Sequence, residues 1–120
     1  LMFAAAKKVD NLIVTVDWND AQIDGSTQQV CDLGDLPAKF KAFGWEVLEM
    51  KGNVMEDVIF TLTQAQLKAK QGKPVAILMR TQMGFGVDFM MGTHKWHGSA
   101  PNDAQLESAL SQLEETLGDY

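Results

Sequence analysis

The chain has 120 residues, of which 46% are hydrophobic and 22% charged, a composition that suits one globular domain with one core. Its net charge of −6 and its scattered lysines and arginines argue against nucleic-acid and membrane partners, because such surfaces need clustered basic residues. No apolar run approaches the roughly 20 residues of a membrane span. The single cysteine, Cys31, excludes an intrachain disulfide and fits a reducing compartment, so we expect a cytoplasmic protein.

The first part of the chain predicts a helix, a strand and a second helix. Residues 1–8 are rich in alanine and end in two lysines, which is typical of the last turns of a helix. Residues 11–16 predict a strand, and residues 18–33 a long polar loop of the kind that is usually functional or disordered. Residues 35–44 predict a helix with Asp35 as its N-cap.

The rest of the chain alternates in the same way. Residues 45–50 predict a strand, and residues 53–71 a helix that Asn53 caps together with Glu56. Residues 75–79 predict a buried strand, 81–101 a loop rich in glycine and methionine, and 102–117 a helix. Strands that alternate with amphipathic helices indicate an α/β fold with parallel strands and right-handed crossovers. Three strands make a thin sheet, so we expect further strands from an upstream segment or another chain.

Each of the three longer helices carries an apolar stripe that should face the core. The stripes are Leu36, Phe40 and Phe43 in the first, Met55, Val58, Ile59 and Leu62 in the second, and Leu106, Ala109, Leu110, Leu113 and Leu117 in the last.

Residues 13–25 organise the chain. They begin as a continuous Val/Ile run, turn polar at Asp17, and leave through Asn19 and a turn that ends at Gly25. In parallel sheets ligands bind at the carboxyl ends of the strands. Oxygen atoms of Asp17, Asn19 and Asp20 at this edge suit a hard cation such as Mg²⁺. The alternative is that these three residues are simply good turn formers.

A second cluster of polar residues follows the last predicted strand, at residues 81–98. It contains four glycines and both histidines, His94 and His97. A histidine beside a glycine, as in His97-Gly98, can act as an acid or a base in a pocket. The competing interpretation is a zinc pair, which lacks a nearby cysteine or glutamate. The methionines of this loop are either core filler or the wall of an apolar cofactor pocket.

Together the two clusters resemble the transketolase family, in particular its smaller, split N-terminal-subunit type. The resemblance covers nearly the whole chain in the right order. The matching stretches are residues 9–14 (VDNLIV), 17–25 (DxNxxQIDG), 33–36 (LGDL), 38–47 (AKFxAFGWEV), 72–74 (GKP), 81–90 (TxxGxGVxFM) and 97–101 (HGxAP).

The resemblance implies thiamine diphosphate with Mg²⁺ or Ca²⁺, and two-carbon ketol transfer between sugar phosphates. It implies that Asn19 binds the metal through its side chain and Ala21 through its carbonyl. It implies that Ile23 and Met83 lie against the cofactor rings. His97 matches the catalytic histidine near the diphosphate and substrate, and His94 matches its companion in relatives that carry two.

The chain also departs from the family pattern. The Gly-Asp-Gly turn that holds the diphosphate should lie upstream of Leu1, and the family's activating glutamate belongs to a partner domain. Trp18, Asp20, Arg80 and Met83 replace residues that the family commonly has. We therefore expect residues 1–120 to be one domain, the C-terminal part of a diphosphate-binding domain, inactive unless completed.

Three functional hypotheses follow. The first is a fragment or subunit of a transketolase, paired with a complementary subunit. The second is a non-catalytic remnant that associates with itself as a dimer or larger oligomer and binds little. The third, a nucleotide-binding α/β domain, is disfavoured because the phosphate loop is missing. The first hypothesis requires that neighbouring strands bring Asn19 and His97 to one pocket mouth.

Overall fold

The computed structural model describes residues 1–114 and contains a parallel sheet with helices on both faces. The strands are β1 (Ile13–Trp18), β2 (Ala21–Gln22), β3 (Gly25–Ser26), β4 (Glu46–Lys51) and β5 (Val75–Arg80). The helices are α1 (Met2–Ala6), α2 (Thr27–Val30), α3 (Leu36–Ala42), α4 (Met55–Lys68) and α5 (Asp103–Gln112). The predicted α/β class with parallel strands is confirmed.

Strand β5 is the centre of the main sheet, whose order is β1-β5-β4 with every pair parallel. Its first four residues, from Val75 to Leu78, are fully buried. They form the continuous apolar run that is expected of a strand covered on both faces. The same register runs through all three strands, so Trp18, Arg80 and Lys51 lie level at their carboxyl ends.

Alternate residues of β5 contact different helices, because successive side chains of a strand point to opposite faces. Ala76 and Leu78 pack with Phe40 of α3 and with Trp45. The rings of Phe40 and Trp45 meet edge to face, with their centroids 5.8 Å apart. Val75 and Ile77 pack on the other face, where α4 supplies buried Ala65 and half-buried Val58. The sheet is therefore the middle layer of three.

The structure contains one predicted helix cap and one that was not predicted, and another predicted cap is replaced. Asp35 accepts a hydrogen bond from the Ala38 N–H at 2.8 Å, and Asn102 forms a capping box with Gln105 at the start of α5. The predicted cap of α4 by Asn53 is wrong, because α4 begins after Val54 without a side-chain cap. The Asn53 side chain instead accepts from the Gln82 N–H at 2.8 Å, which ties it to the segment after β5.

The segment predicted as a loop at residues 18–33 contains secondary structure. Strands β2 and β3 form a two-stranded antiparallel hairpin, and α2 follows directly. The Ser26 hydroxyl caps α2 by accepting from the Gln29 N–H at 3.3 Å. Strands of two residues are too short to show the alternation by which a strand is recognised in a sequence.

Much of the predicted inward face of two helices lies in solvent. In α4 the buried residues are Thr61 and Ala65, whereas three of the four predicted core residues, Met55, Ile59 and Leu62, are exposed. In α5 only Ala109 is buried, and Leu106, Leu110 and Leu113 are exposed. Phe43 of the first stripe is also exposed, at 40%, whereas Phe40 is buried and Leu36 half-buried. Leu117 lies outside the described residues.

The reason is that a three-stranded sheet is too narrow to cover these stripes. The accessible surface, 8527 Å², is about a third more than the roughly 6,400 Å² expected of a folded monomer of this mass. Exposed apolar side chains that form a large patch usually mark an interaction site. Within residues 1–114, no helix is long and apolar enough to cross a membrane.

Leu78→Ala tests the central position of β5. We expect it to lower the free energy of unfolding by about 2–5 kcal/mol, because it leaves a cavity at a fully buried site. The measurement is urea unfolding followed by circular dichroism. The matched control, Leu110→Ala at a 61% exposed position, should change stability by about 0.5 kcal/mol or less. Equal losses in the two variants would contradict the assigned core.

Candidate functional site

A cleft of about 420 Å³ lies where β1 and β5 end. Its volume is in the range of small-molecule sites, and its position is the ligand-binding edge of a parallel sheet. One wall follows β1 and continues into the β2–β3 hairpin, and the other follows β5. The lining residues are Asn19, Asp20, Ala21, Gly25, Ser26, Thr81, Gln82, Met83, Gly92, Thr93 and His94.

Asn19 is the first residue beyond β1 and is half-buried in the wall of the cleft. Its Oδ1 atom accepts a hydrogen bond from the Ala21 N–H at 2.9 Å. This is the local bond by which asparagine stabilises a turn, so the turn-forming interpretation has a direct structural basis. It does not exclude ligand binding, because an amide oxygen has a second lone pair.

The two aspartates near Asn19 are engaged with β5 and the segment that follows it. Asp17 Oδ1 accepts a hydrogen bond from the Thr81 hydroxyl. Asp20 Oδ2 lies 3.4 Å from Arg80 Nη1. Across the described part of the chain, no group of three or more His, Cys, Asp or Glu side chains could hold a metal ion. The expected contribution of Asp17 and Asp20 to a cation site therefore has no support from their contacts.

The wall after β5 is a loop folded tightly on itself. Gly84 has φ +67°, and a Cβ atom there would lie 2.5 Å from Met90 Cβ and 2.7 Å from the Met90 carbonyl carbon. Further along, the Trp96 Nε1–H donates to the Phe89 carbonyl at 3.0 Å, and the two rings meet at 5.3 Å. These contacts fold the loop so that Thr93 and His94 return to the cleft.

The structure brings some of the predicted site residues together and leaves others apart. Four of them line the cleft: Asn19, Ala21, Met83 and His94. Ile23 is 65% exposed at the tip of the hairpin, and His97 is exposed beyond His94, whose carbonyl accepts from the His97 N–H at 3.0 Å. Neither Ile23 nor His97 is among the lining residues, so the roles predicted for them stay predictions.

Several lining residues were not among the predicted site residues. They are Ser26, Thr81, Gln82 and Thr93, all of which offer neutral hydrogen-bonding groups. Thr81 could have been found in the sequence, because it is the first residue after the buried strand β5. Ser26 could not have been found, because its place in the cleft depends on the β2–β3 hairpin. Thr93 belongs to the cluster predicted at residues 81–98, but its return to the cleft depends on how that loop folds.

The lining has the chemistry for part of a metal–phosphate ligand. The Asn19 amide and the Ala21 carbonyl are oxygen ligands of the kind that Mg²⁺ accepts, and the hydroxyls of Ser26 and Thr93 can donate to phosphate oxygens. Two neutral oxygens are too few for octahedral Mg²⁺, whose remaining ligands would be water, phosphate or other protein groups. The residues present fit one side of such a site.

Comparisons with known proteins point the same way. A family model described as transketolase, thiamine diphosphate binding domain, matches residues 1–117. The chain is 39% identical over 110 residues to an apulose-4-phosphate transketolase subunit of Phocaeicola vulgatus, covering 92% of this chain and 38% of that protein. It is 36% identical over 113 residues to a 6-deoxy-6-sulfo-D-fructose transketolase subunit of a Clostridium species, covering 94% and 40%.

A solved structure is also similar. Transketolase from Campylobacter jejuni superposes with a TM-score of 0.80 at 30% identity, covering 92% of this chain and 17% of that one. The chain thus spans about two fifths of the length of the two curated relatives.

Gly84→Ala tests the folded loop against a matched control in the same segment. Both Gly84 and Gly92 have positive φ, but a Cβ at Gly92 would meet nothing within 4 Å. Gly92→Ala should cost about 1–2 kcal/mol of unfolding free energy from backbone strain alone. Gly84→Ala should cost about 1–3 kcal/mol more, because Met90 must also move. Urea unfolding measures both, and equal costs would contradict the close Gly84–Met90 contact.

Proposed function

We propose that this chain, which belongs to the transketolase family, forms part of the thiamine-diphosphate-binding subunit of a split transketolase. The observation that carries the proposal is the cleft at the carboxyl ends of β1 and β5. Asn19 and Ala21 line one wall of it, and Met83 and His94 line the other. Residues 1–120 would be the C-terminal part of the diphosphate-binding domain.

The proposed cofactor is thiamine diphosphate with Mg²⁺. When bound, it supplies an electron sink for breaking a carbon–carbon bond in a ketose and transferring a two-carbon unit. Asn19 would hold the metal through its side chain and Ala21 through its carbonyl. The hydroxyls of Ser26 and Thr93, which share the cleft, would donate hydrogen bonds to phosphate oxygens.

The remaining site residues have narrower proposed roles. Met83 offers an apolar, adaptable surface for a cofactor ring, and Ile23 at the hairpin tip is proposed to meet a ring from its exposed position. His94 would contact the diphosphate from the wall of the cleft. His97, which is exposed, is the proposed acid or base that meets the sugar phosphate.

A complementary subunit is part of the proposal. The names of two relatives describe transketolase subunits, and the chain spans about two fifths of their length. Exposed apolar residues on α4 and α5, such as Met55, Ile59 and Leu110, support a partner surface. Two neutral metal ligands without a carboxylate support the view that the chain is inactive until completed. A cytoplasmic location is proposed as well, because the single thiol, Cys31, is exposed.

Asn19→Ala tests the proposed metal ligand. Calorimetric titration of the chain with thiamine diphosphate and Mg²⁺ should give binding that the substitution weakens roughly tenfold or more. Asn11→Ala is the matched control, because Asn11 is exposed and precedes β1 at the opposite end of the strand. No heat at millimolar ligand would rule out cofactor binding by the chain alone, and an equal effect of the two substitutions would contradict Asn19 as a metal ligand.

The chain alone should also associate with itself. Uncovered apolar faces and the outer edges of β1 and β4 are templates for another copy, so we expect a dimer or larger oligomer in solution. Light scattering at micromolar concentration measures the mass. A monomer would count against this expectation, and addition of a complementary subunit should replace self-association by a mixed complex.

A further inference from the structure

The two residues on either side of Asn19 contact the same side chain on the neighbouring strand. The guanidinium carbon of Arg80 lies 3.1 Å from the centroid of the Trp18 ring. Arg80 Nη1 lies 3.4 Å from Asp20 Oδ2. Trp18 and Asp20 precede and follow Asn19 directly, so one arginine on β5 bridges both ends of the turn that presents Asn19 to the cleft.

We propose that Arg80 is a positioning residue for Asn19. That Asn19 binds a metal depends on the function proposed above. That Arg80 fixes the orientation of the Asn19 side chain does not depend on it. Arg80 suits the role because its planar guanidinium can stack on an indole ring and direct an N–H group to a carboxylate together. A lysine would supply the charge without the stacking plane.

The turn contains a residue in an uncommon backbone conformation, whose carbonyl accepts from the Thr27 N–H at 3.0 Å. Asp20 has φ +57°, in the left-handed region that residues other than glycine adopt infrequently. Asn19 itself has one described hydrogen bond, from the Ala21 N–H to its Oδ1. Asp17 is held separately by the Thr81 hydroxyl, and the Trp18 carbonyl accepts from the Thr81 N–H at 3.4 Å. The hydrogen bonds to Thr81 link β1 to the neighbouring segment as far as Trp18. The contacts of Arg80 continue these links to Asp20, which lines the cleft.

Arg80 contributes locally and not to the global fold. The side chains of Arg80 and Asp20 are 45% and 67% exposed, and exposed ion pairs add little to overall stability. Loss of Arg80 should therefore loosen the Asn19 turn while β5 stays intact. A general destabilisation would loosen both the turn and β5. Measurements at a residue of the turn and at a residue of β5 therefore distinguish a local effect from a general one.

Amide hydrogen exchange, resolved by residue in NMR, tests the proposal. Arg80→Ala should accelerate exchange at the Ala21 amide, which donates to Asn19, by roughly two- to fivefold, the range of an exposed cation–π contact. Exchange at Ile77, in the buried centre of β5, should not change. The matched control is Lys51→Ala, which removes a cation level with Arg80 on the other side of β5 and should leave Ala21 unaffected.

An unchanged Ala21 rate in Arg80→Ala would overturn the proposal, as would an equal acceleration at Ala21 and Ile77. A second arm titrates both variants with Mg²⁺ and thiamine diphosphate. Weaker binding in Arg80→Ala than in Lys51→Ala supports the role of the turn in binding. If even the unchanged chain does not bind, cofactor binding by the chain alone fails, while the exchange rates still decide whether Arg80 positions Asn19.

Discussion

Both backbone edges of β5 are hydrogen-bonded, one to β1 and the other to β4, and both of its faces are covered by helices. A strand held in this way has one direction and one register available, because a shift of one residue would turn its apolar side chains to the wrong face. The parallel register makes β1 and β5 end at the same level, at Trp18 and Arg80. The chain therefore has to leave both strands at one edge, and the cleft forms between the two departing segments.

The same narrow sheet explains the apolar surface of the molecule. Within the sheet that the described residues form, β1 and β4 each have one unpaired edge, and α4 and α5 extend beyond what three strands can cover. The narrow sheet therefore explains two features together. It leaves the metal–phosphate site incomplete, and it leaves apolar helix faces open to a partner. Such a surface supports the partner subunit that is proposed above.

The sequence predicts well what depends on local pattern or on complete burial. The apolar run of β5 and the cap Asp35 are as expected, because each is set by residues close together in the chain. An apolar stripe, such as that of α4, reveals which face is apolar but not whether a neighbour exists to cover it. The contact between Arg80 and Asp20 joins residues 60 positions apart, and it requires the register of a sheet that no local pattern specifies. For this reason Arg80 contacts both Trp18 and Asp20, and all three are residues that the family resemblance singles out as departures.

Paramagnetic broadening by Mn²⁺ is the most direct test that the two segments leaving β1 and β5 form one cofactor site. Mn²⁺ accepts the same oxygen ligands as Mg²⁺, and it broadens the NMR signals of nearby nuclei only. With thiamine diphosphate present, the amide signals of Asn19, Ala21, Thr81 and Thr93 should broaden together. Broadening confined to residues at the opposite end of the sheet, such as Glu46 and Lys73, or to one of the two segments alone, would contradict a shared site.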